Sequence, residues 1–343
     1  MSALSVRGRR ARRLEAGAGA NVLRFWLKRI ASLIAVLFAL SVITFLIFNV
    51  IPGGNPALRM AGRHPTPQLI ANISRDWGFN KPVWTQYLDM MDKLLISHNL
   101  ISYQDQIAVL PAIGRGIPKT ASLAIGAAAI WLFFGVLFGV LSGLNQGRWV
   151  DRVLTVLSMG GISVPIFWLG AILLYLLTYK FSSFFLFSWI PPGGYVNFGT
   201  SPLQWAEHLI LPWICLAVTS AGFYTRVVRN SLLEVQTADY VRTARAMGLS
   251  PGRVLLRHVL RTSLIPVMSL FALDFGATLG GTVILIEPVF GINGIGAYAE
   301  QALQNLDLPP LMALTLYGGF FIVLMNALAD VLFMRLDPRI KVD

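Results

Sequence analysis

Cysteine is nearly absent from this sequence, and charge is scarce. One cysteine, Cys215, stands among 343 residues, so neither an internal disulfide nor a cysteine-built zinc cluster is possible. It lies inside an apolar run and reads as a small buried hydrophobe rather than a reactive thiol. Histidine is rare as well: His64, His98, His208 and His258 share no metal-pair spacing, so no metal site is expected. A Gly-Lys pair occurs nowhere, which excludes a P-loop. No catalytic constellation emerges from the remaining polar residues. Only 13% of the residues are charged, about half the share in a soluble domain.

What fills the space is apolar sequence, 55% of the chain, gathered into long runs. Six runs are long enough to cross about 30 Å of hydrocarbon as helices, which takes roughly 20 residues each. They are Ile30–Val50, Thr120–Leu144, Val153–Thr178, Leu209–Tyr224, Leu264–Ile286 and Leu311–Met334. The fourth is the shortest, with a start as early as Ala206 open to it. A helical bundle follows, because lipid offers no water to satisfy backbone groups, and the alternation of a membrane barrel is absent. The first run is too long for a cleaved signal and no small-residue cleavage site follows it.

The net charge of +12 is explained by sidedness rather than by nucleic acid, for basic and aromatic residues are not interleaved. Eight Lys/Arg lie in residues 1–29. Arg148 and Arg152 lie between the second and third runs. Arg226, Arg229, Arg242, Arg245, Arg253, Arg257 and Arg261 lie between the fourth and fifth, and Arg335, Arg339 and Lys341 at the end. The alternate connections hold only Lys180 in 179–208 and no Lys or Arg in 287–310. This asymmetry places both termini in the cytoplasm. The tail 1–29 then reads as a basic segment near anionic headgroups.

Two connections are long. Residues 52–119 open on Pro52-Gly53-Gly54-Asn55-Pro56 and predict a helix from Thr66 or Pro67 to about Arg75 and another from Pro82 to about Ile96. A segment of this size reads as an extracytoplasmic subdomain over an entrance, or as a passive tether. The second, 226–262, predicts a hairpin of two helices. Thr237 stands as a cap, with Asp239 in the first turn where the helix dipole favours an acid. Gly248 fits a left-handed C-cap, and Ser250 with Pro251 fits the start of a helix that runs into the fifth span. A rigid cationic hairpin of this kind is either a docking surface or a helix pair resting on headgroups.

The run Tyr240-Val241-Arg242-Thr243-Ala244-Arg245-Ala246-Met247-Gly248-Leu249, with Arg257-His258 and Pro266, resembles the cytoplasmic loop of ABC-importer permeases of the dipeptide, oligopeptide and nickel type. The generic loop has Glu-Ala-Ala six residues before the glycine. Here Arg242-Thr243-Ala244 stands there, a departure typical of the peptide branch. Ile51-Pro52-Gly53-Gly54-Asn55-Pro56, Trp77-Gly78-Phe79-Asn80-Lys81-Pro82, Gln86-Tyr87-Leu88, Ile286-Glu287-Pro288-Val289-Phe290-Gly291, Asn326-Ala327-Leu328-Ala329-Asp330 and Leu336-Asp337-Pro338-Arg339-Ile340 are similar to further stretches of that family. The similarity runs from about Asn21 to the end. Ser97-His98-Asn99-Leu100 replaces a common Gly-Asp-x-Gly turn, and the first 20 residues are an extension.

The resemblance implies an all-α, six-span type I importer permease with a cytoplasmic coupling hairpin, in the cell membrane of a prokaryote. It implies a permease core over 120–343 and a hairpin that inserts into a cleft on an ATPase subunit. The residues it nominates for coupling are Asp239, Tyr240, Arg242, Thr243, Ala244, Arg245, Gly248, Leu249 and His258. The implied partners are a second, related permease, two ATPase subunits and an extracytoplasmic substrate-binding protein. This chain itself would bind no cofactor, ATP and Mg belonging to the ATPase subunits. Peptides are the modal cargo, with nickel, opines and some saccharides also carried by such permeases.

Within the spans, Asp274 is costly unless it faces a cavity or a partner. It reads either as an attractor for a cationic group on a passing substrate or as a hydrogen-bond partner for another helix. Gly276 and Gly280 are candidates, with Asp274, for lining a substrate path, and with Gly281 they offer a close-packing face for a neighbouring helix. Gly160, Gly161 and Pro165 predict a loosened third span. Asp330 and Asn326 read as structural. Leu141-Ser142-Gly143-Leu144-Asn145-Gln146 only echoes an ATPase signature, and Gly291-x-x-Gly294-x-Gly296 lacks the βαβ unit of a dinucleotide site. The rival classes are a stand-alone secondary transporter or channel, for which Asp274 is the deep ion-coupling candidate, and a membrane scaffold without transport.

Overall fold

The computed structural model describes residues 27–50, 56–61, 66–181, 183–184 and 187–336. Most of the basic tail, residues 51–55 of the first turn, His64 and the terminal run from Asp337 lie outside the described residues, as does the side chain of Asp330. The elements in chain order are α1 (Leu27–Asn49), α2 (Pro56–Met60), α3 (Pro67–Asp76), α4 (Val83–Leu95), α5 (Val109–Leu144), α6 (Trp149–Ser163), α7 (Ile166–Lys180), α8 (Pro202–Gln236), α9 (Asp239–Ala246), α10 (Pro251–Ser263), α11 (Ile265–Gly280), α12 (Ile295–Gln304) and α13 (Leu308–Leu336). Among the described residues the one β-type pairing is an isolated antiparallel bridge, Ile101 with Ala108.

Four helices are long and apolar enough to cross a membrane singly: α1, α5, α8 and α13. The pairs α6–α7 and α10–α11 bring the number to six when each bent pair is one span. The chain is thus all-α and multi-pass. Three spans differ from the sequence reading. The fourth, expected to be short over Leu209–Tyr224, is the 35-residue α8. Glu207 and the Arg226–Glu234 stretch break the apolar run but not the helix, whose roughly 52 Å exceeds the hydrocarbon thickness. Its last turns therefore fill the start of the 226–262 connection. The second span likewise begins early, at Val109 rather than Thr120. The fifth ends at Gly280 rather than Ile286, where a short 3-10 turn over Thr282–Leu285 replaces it.

The third span breaks by 97° between α6 and α7. Pro165 has no N–H to continue the ladder, and it stands at the break as the N-cap of α7. Gly161 serves a different purpose, since a Cβ there would lie 2.9 Å from the Val218 carbonyl oxygen on α8. Gly160 faces open space.

The main core lies between α5 and α8, around Leu123, Trp131, Leu209, Leu216, Tyr224 and Val228. A stripe on α5, Gly135-x-x-x-Gly139-x-x-x-Gly143, sets their approach. Added Cβ atoms would meet Tyr224 Cβ at 2.5 Å, Val228 Cβ at 2.5 Å and Leu232 Cδ2 at 2.9 Å. Both rows advance by four residues, so one small row receives one large row along two helical turns. The four-residue period of these glycines is visible in the sequence itself.

At the end of the bundle remote from α9, the segment 66–108 folds onto the helices. Thr66 Oγ1 accepts from Leu69 N at 3.2 Å and caps α3. Pro82 stands at the N-cap of α4 rather than inside its first turn. Met90, Leu94 and Leu100 pack with Phe45, Val109, Ile113, Ile295, Leu308 and Met312. Asp307, just before α13, fastens this layer. It accepts from Ser102 Oγ at 2.5 Å and from the amides of Tyr103 at 3.0 Å and Gln104 at 3.3 Å. In the Ser97-His98-Asn99-Leu100 turn, His98 has φ +52°, a region that costs most L-residues roughly 1–2 kcal/mol. His98→Gly is therefore expected to raise the melting temperature of the detergent-solubilised chain; an unchanged or lower value contradicts the strain.

Beyond the end of α11, Glu287 is fully buried. It accepts from Thr120 Oγ1 at 2.6 Å and from the Ala297 amide at 3.0 Å, while Thr120 Oγ1 accepts from the Ile295 amide at 2.9 Å. One carboxyl thus ties α5 to the first turn of α12. Burial pushes its pKa up to about 7, against these hydrogen bonds and the nearby Lys119. In the unfolded chain a glutamate ionises near 4.3. Between the two values the unfolded state holds fewer protons than the folded state, so stability falls as pH rises through that window and is greatest below it. Wild-type protein is expected to melt lower at pH 8 than at pH 5, and Glu287→Gln to lose most of that difference. Equal slopes for the two proteins would refute the assignment.

Candidate functional site

The hairpin begins where α8 ends. Thr237 is the C-cap of α8, its Oγ1 donating to the Glu234 carbonyl at 2.7 Å. It does not cap α9, whose N-cap is Ala238 without a side-chain bond; the chain turns one residue later than the sequence reading placed it. Asp239 opens α9. At the far end the Gly248 amide donates to the Arg245 carbonyl at 3.0 Å and the Leu249 amide to the Ala244 carbonyl at 3.3 Å. With φ +77° at Gly248, this is a Schellman closure. Ser250 and Pro251 then start α10, whose later turns widen to π-type over Leu255–Leu260 before the 44° bend into α11.

An eight-residue helix is not stable alone in water, and α9 is held by a small core of its own. Val241 and Ala244 are buried with Leu232 of α8 and Val254 and Val259 of α10. The nominated coupling residues therefore divide. Ala244 faces inward and Leu249 is half-buried, while Asp239, Tyr240, Arg242, Thr243, Arg245 and Gly248 are exposed. Thr243 Oγ1 donates to the Asp239 carbonyl at 2.9 Å, and Arg242 Nη1 lies 3.7 Å from Asp239 Oδ1. His258 is half-buried, and its carbonyl accepts from Tyr240 OH at 3.5 Å. Met247 and Leu256 add exposed apolar surface. The hairpin is a pre-formed projection with charge and apolar groups side by side.

A clamp absent from the sequence reading secures its base. Arg229 Nε donates to Asp151 Oδ1 at 2.7 Å and Nη2 to Oδ2 at 2.9 Å, a bidentate pair. Asp151 also accepts from Ser142 Oγ at 2.5 Å and the Gly147 amide at 2.9 Å. Two of these bonds tie Asp151 to α8 and two brace it within the α5–α6 turn, about two helical turns before the hairpin. Arg229 is one of several Lys/Arg that set the sidedness, Asp151 does not enter that count, and a separation of 78 residues hides the pairing.

Farther along the spans, Tyr224 OH on α8 donates to Asp274 Oδ2 on α11 at 2.9 Å. The acid is thus engaged by another helix, yet the residue remains half-exposed. Gly276 and Gly280 both back onto α13: their added Cβ atoms would lie 2.9 Å from Met325 Cβ and 2.9 Å from the Gly318 carbonyl oxygen. The pair Asn326 and Asp330 also lies on α13. An apolar cavity of about 360 Å³ opens between α5, α6 and α8, lined by Phe134, Phe138, Leu154, Val218 and Gly222 among others. Among the described residues no group of three or more His, Cys, Asp or Glu could hold a metal ion.

This arrangement of spans and hairpin has known relatives. Residues 135–342 match the family described as binding-protein-dependent transport system inner membrane component, and residues 22–124 match its N-terminal companion. The chain belongs to this family. A probable peptide ABC transporter permease protein of Sinorhizobium fredii is 35% identical over 92% of this chain and 98% of its own length. A dipeptide transport system permease of Alkalihalophilus pseudofirmus is 32% identical over 93% and 100%, and a di/tripeptide one of Pseudomonas aeruginosa 33% over 93% and 99%. Among solved structures, the MetNI methionine ABC transporter in an inward-facing form has a chain 20% identical, with TM-score 0.49, covering 66% of this chain and 97% of that one. The present protein is a multi-pass permease subunit of an ABC-type, binding-protein-dependent transport system.

Proposed function

We propose that this permease forms half of the translocation pathway of a peptide importer and is driven by separate ATPase subunits that engage the α9 hairpin. A second, related permease supplies the other half, and an extracytoplasmic binding protein delivers the peptide. Both termini and the hairpin then lie on the cytoplasmic side, in keeping with the Lys/Arg distribution. The observation that carries the reading is the hairpin itself. A helix with its own core, closed by Gly248 and carried on an α8 that is clamped to the α5–α6 turn, is stiff enough to pass a push from a soluble motor into α8, α10 and α11. ATPase closure would tilt these helices, and the glycine contacts of α11 on α13 provide a low-relief surface for such movement. Asp274, half-exposed beside Tyr224, is the group we assign to meeting the cationic end of a passing peptide. Its bond to Tyr224 fits a fixed acid better than the mobile coupling site that a stand-alone secondary transporter needs.

Co-purification from a native membrane tests the assignment. The solubilised chain is expected to bring down an ATPase whose turnover rises with peptide-loaded binding protein. Isolation without any ATPase would leave the proposal untenable. Binding measurements on the partner protein decide between peptides and the other cargoes of this permease type.

A further inference from the structure

Helix α4 has three faces where a water-borne helix has two. Met90 and Leu94 are buried against the bundle. Thr85, Asp89 and Asp92 form a polar face, on which Asp89 pairs with Lys81 at 2.6 Å. Trp84, Leu88 and Leu95 form a third, apolar face at four- and seven-residue spacing, with relative exposures of 67%, 55% and 62%. A stripe of this kind is a poor surface to leave in water.

The contacts of α4 with α1 fix its depth. Tyr87 OH and Ser41 Oγ share a hydrogen bond of 2.7 Å, the Phe45 and Tyr87 rings meet edge to face with centroids 5.4 Å apart, and Asn49 Nδ2 donates to Gln86 Oε1 at 3.2 Å. Lys28 and Arg29 are the last charged residues before the apolar stretch of α1, and charges of this kind set a span's boundary. About 20 helical residues farther the hydrocarbon ends, near Asn49. Ser41 lies about 12 Å short of that point along the helix. Neighbouring residues of α4 therefore touch α1 both at the boundary and well inside it. Over the same length α1 exposes Phe38, Ile43 and Ile47, as a lipid-facing span does.

We propose that α4 lies in the membrane interface, its Trp84–Leu88–Leu95 face in the lipid of the leaflet remote from the hairpin. The depth matches that of amphipathic interfacial helices, whose apolar face sits about 5–10 Å into the headgroup and acyl boundary. Tryptophan favours that zone. The 66–108 layer is then moored to lipid on one side and to Asp307 on the other.

Nitroxide labels on the full chain, assembled with its partners in lipid nanodiscs, test this. Leu88→Cys, Leu95→Cys and Asp92→Cys are made in a Cys215→Ala background, all three at exposed positions where a label displaces no packing. Labels at Leu88 and Leu95 are expected to collide with oxygen in preference to a water-soluble nickel chelate, and the label at Asp92 the reverse. Free access of the chelate to all three positions overturns the proposal in favour of an aqueous helix. Exclusion of both reagents from Leu88 and Leu95 overturns it in favour of cover by another protein chain. Oxygen partitions into either leaflet, so the result reports depth and is independent of the sidedness proposed above.

Discussion

Gly248→Trp is expected to leave the chain folded and inserted while abolishing substrate-stimulated ATP hydrolysis in the assembled complex. Nothing lies within 4 Å of a Cβ built at Gly248, so the ring enters open space rather than the core. The left-handed backbone costs a non-glycine residue roughly 1–2 kcal/mol. That is enough to loosen the Schellman closure and too little to undo a six-span bundle. Asp239→Lys should act alike by a different route. Its side chain is almost wholly exposed, with only the solvated Arg242 guanidinium 3.7 Å away, but it sets a negative charge at the positive end of the α9 dipole. Each variant changes the surface and ends of the hairpin while sparing Val241 and Ala244 beneath. ATPase activity with and without loaded binding protein, measured beside the yield of inserted chain, separates the cases. Normal stimulation in both variants would remove the docking role. Loss of inserted chain would instead mean that the hairpin is needed for folding, which also contradicts the assignment.

The parts of this site that were legible in sequence are those written in local code. Asp239, Gly248, Ser250 and Pro251 each stand at a helix end, and helix ends are set by a few adjacent residues. Thr237 caps α8 rather than α9, because a threonine next to a turn suits the end of one helix as well as the start of the next. The reach of α8 was underestimated for a related reason: an apolar run measures the lipid-facing part of a helix, whereas Arg226–Gln236 continues the same backbone where water and other helices take over. The Asp274–Tyr224 bond was foreseen in kind, as a bond to another helix, without its partner. Nothing local marks Glu287, Asp307 or the Asp151–Arg229 pair as sites. Their partners lie 167, 205 and 78 residues away, and pairing at that range depends on the packed bundle. The glycine stripe of α5 is the exception, since its four-residue period needed no tertiary information.

Arg229→Gln is expected to keep the ATPase bound while lowering the peptide transported per ATP hydrolysed, by roughly tenfold or more. The hairpin can move the bundle only through the helices that hold it, and α8 is held at its base by Asp151. Glutamine leaves the Asp151 carboxylate without its charged partner; removing one member of a buried pair costs about 3 kcal/mol or more, less here because Arg229 is partly exposed. The α5–α6 turn then no longer follows α8, and hydrolysis continues while the spans slip. Arg229→Lys keeps the charge but loses the two-pronged geometry, so an intermediate ratio is expected. Asp151→Asn with Arg229→Gln removes both charges and should recover thermal stability without recovering coupling. A clamp that merely stabilises the fold would instead return both together in that double variant. A transport ratio that tracks melting temperature across the series would therefore reduce Asp151 and Arg229 to structural residues. A ratio that stays low in a restored fold makes them the joint through which the hairpin drives the spans.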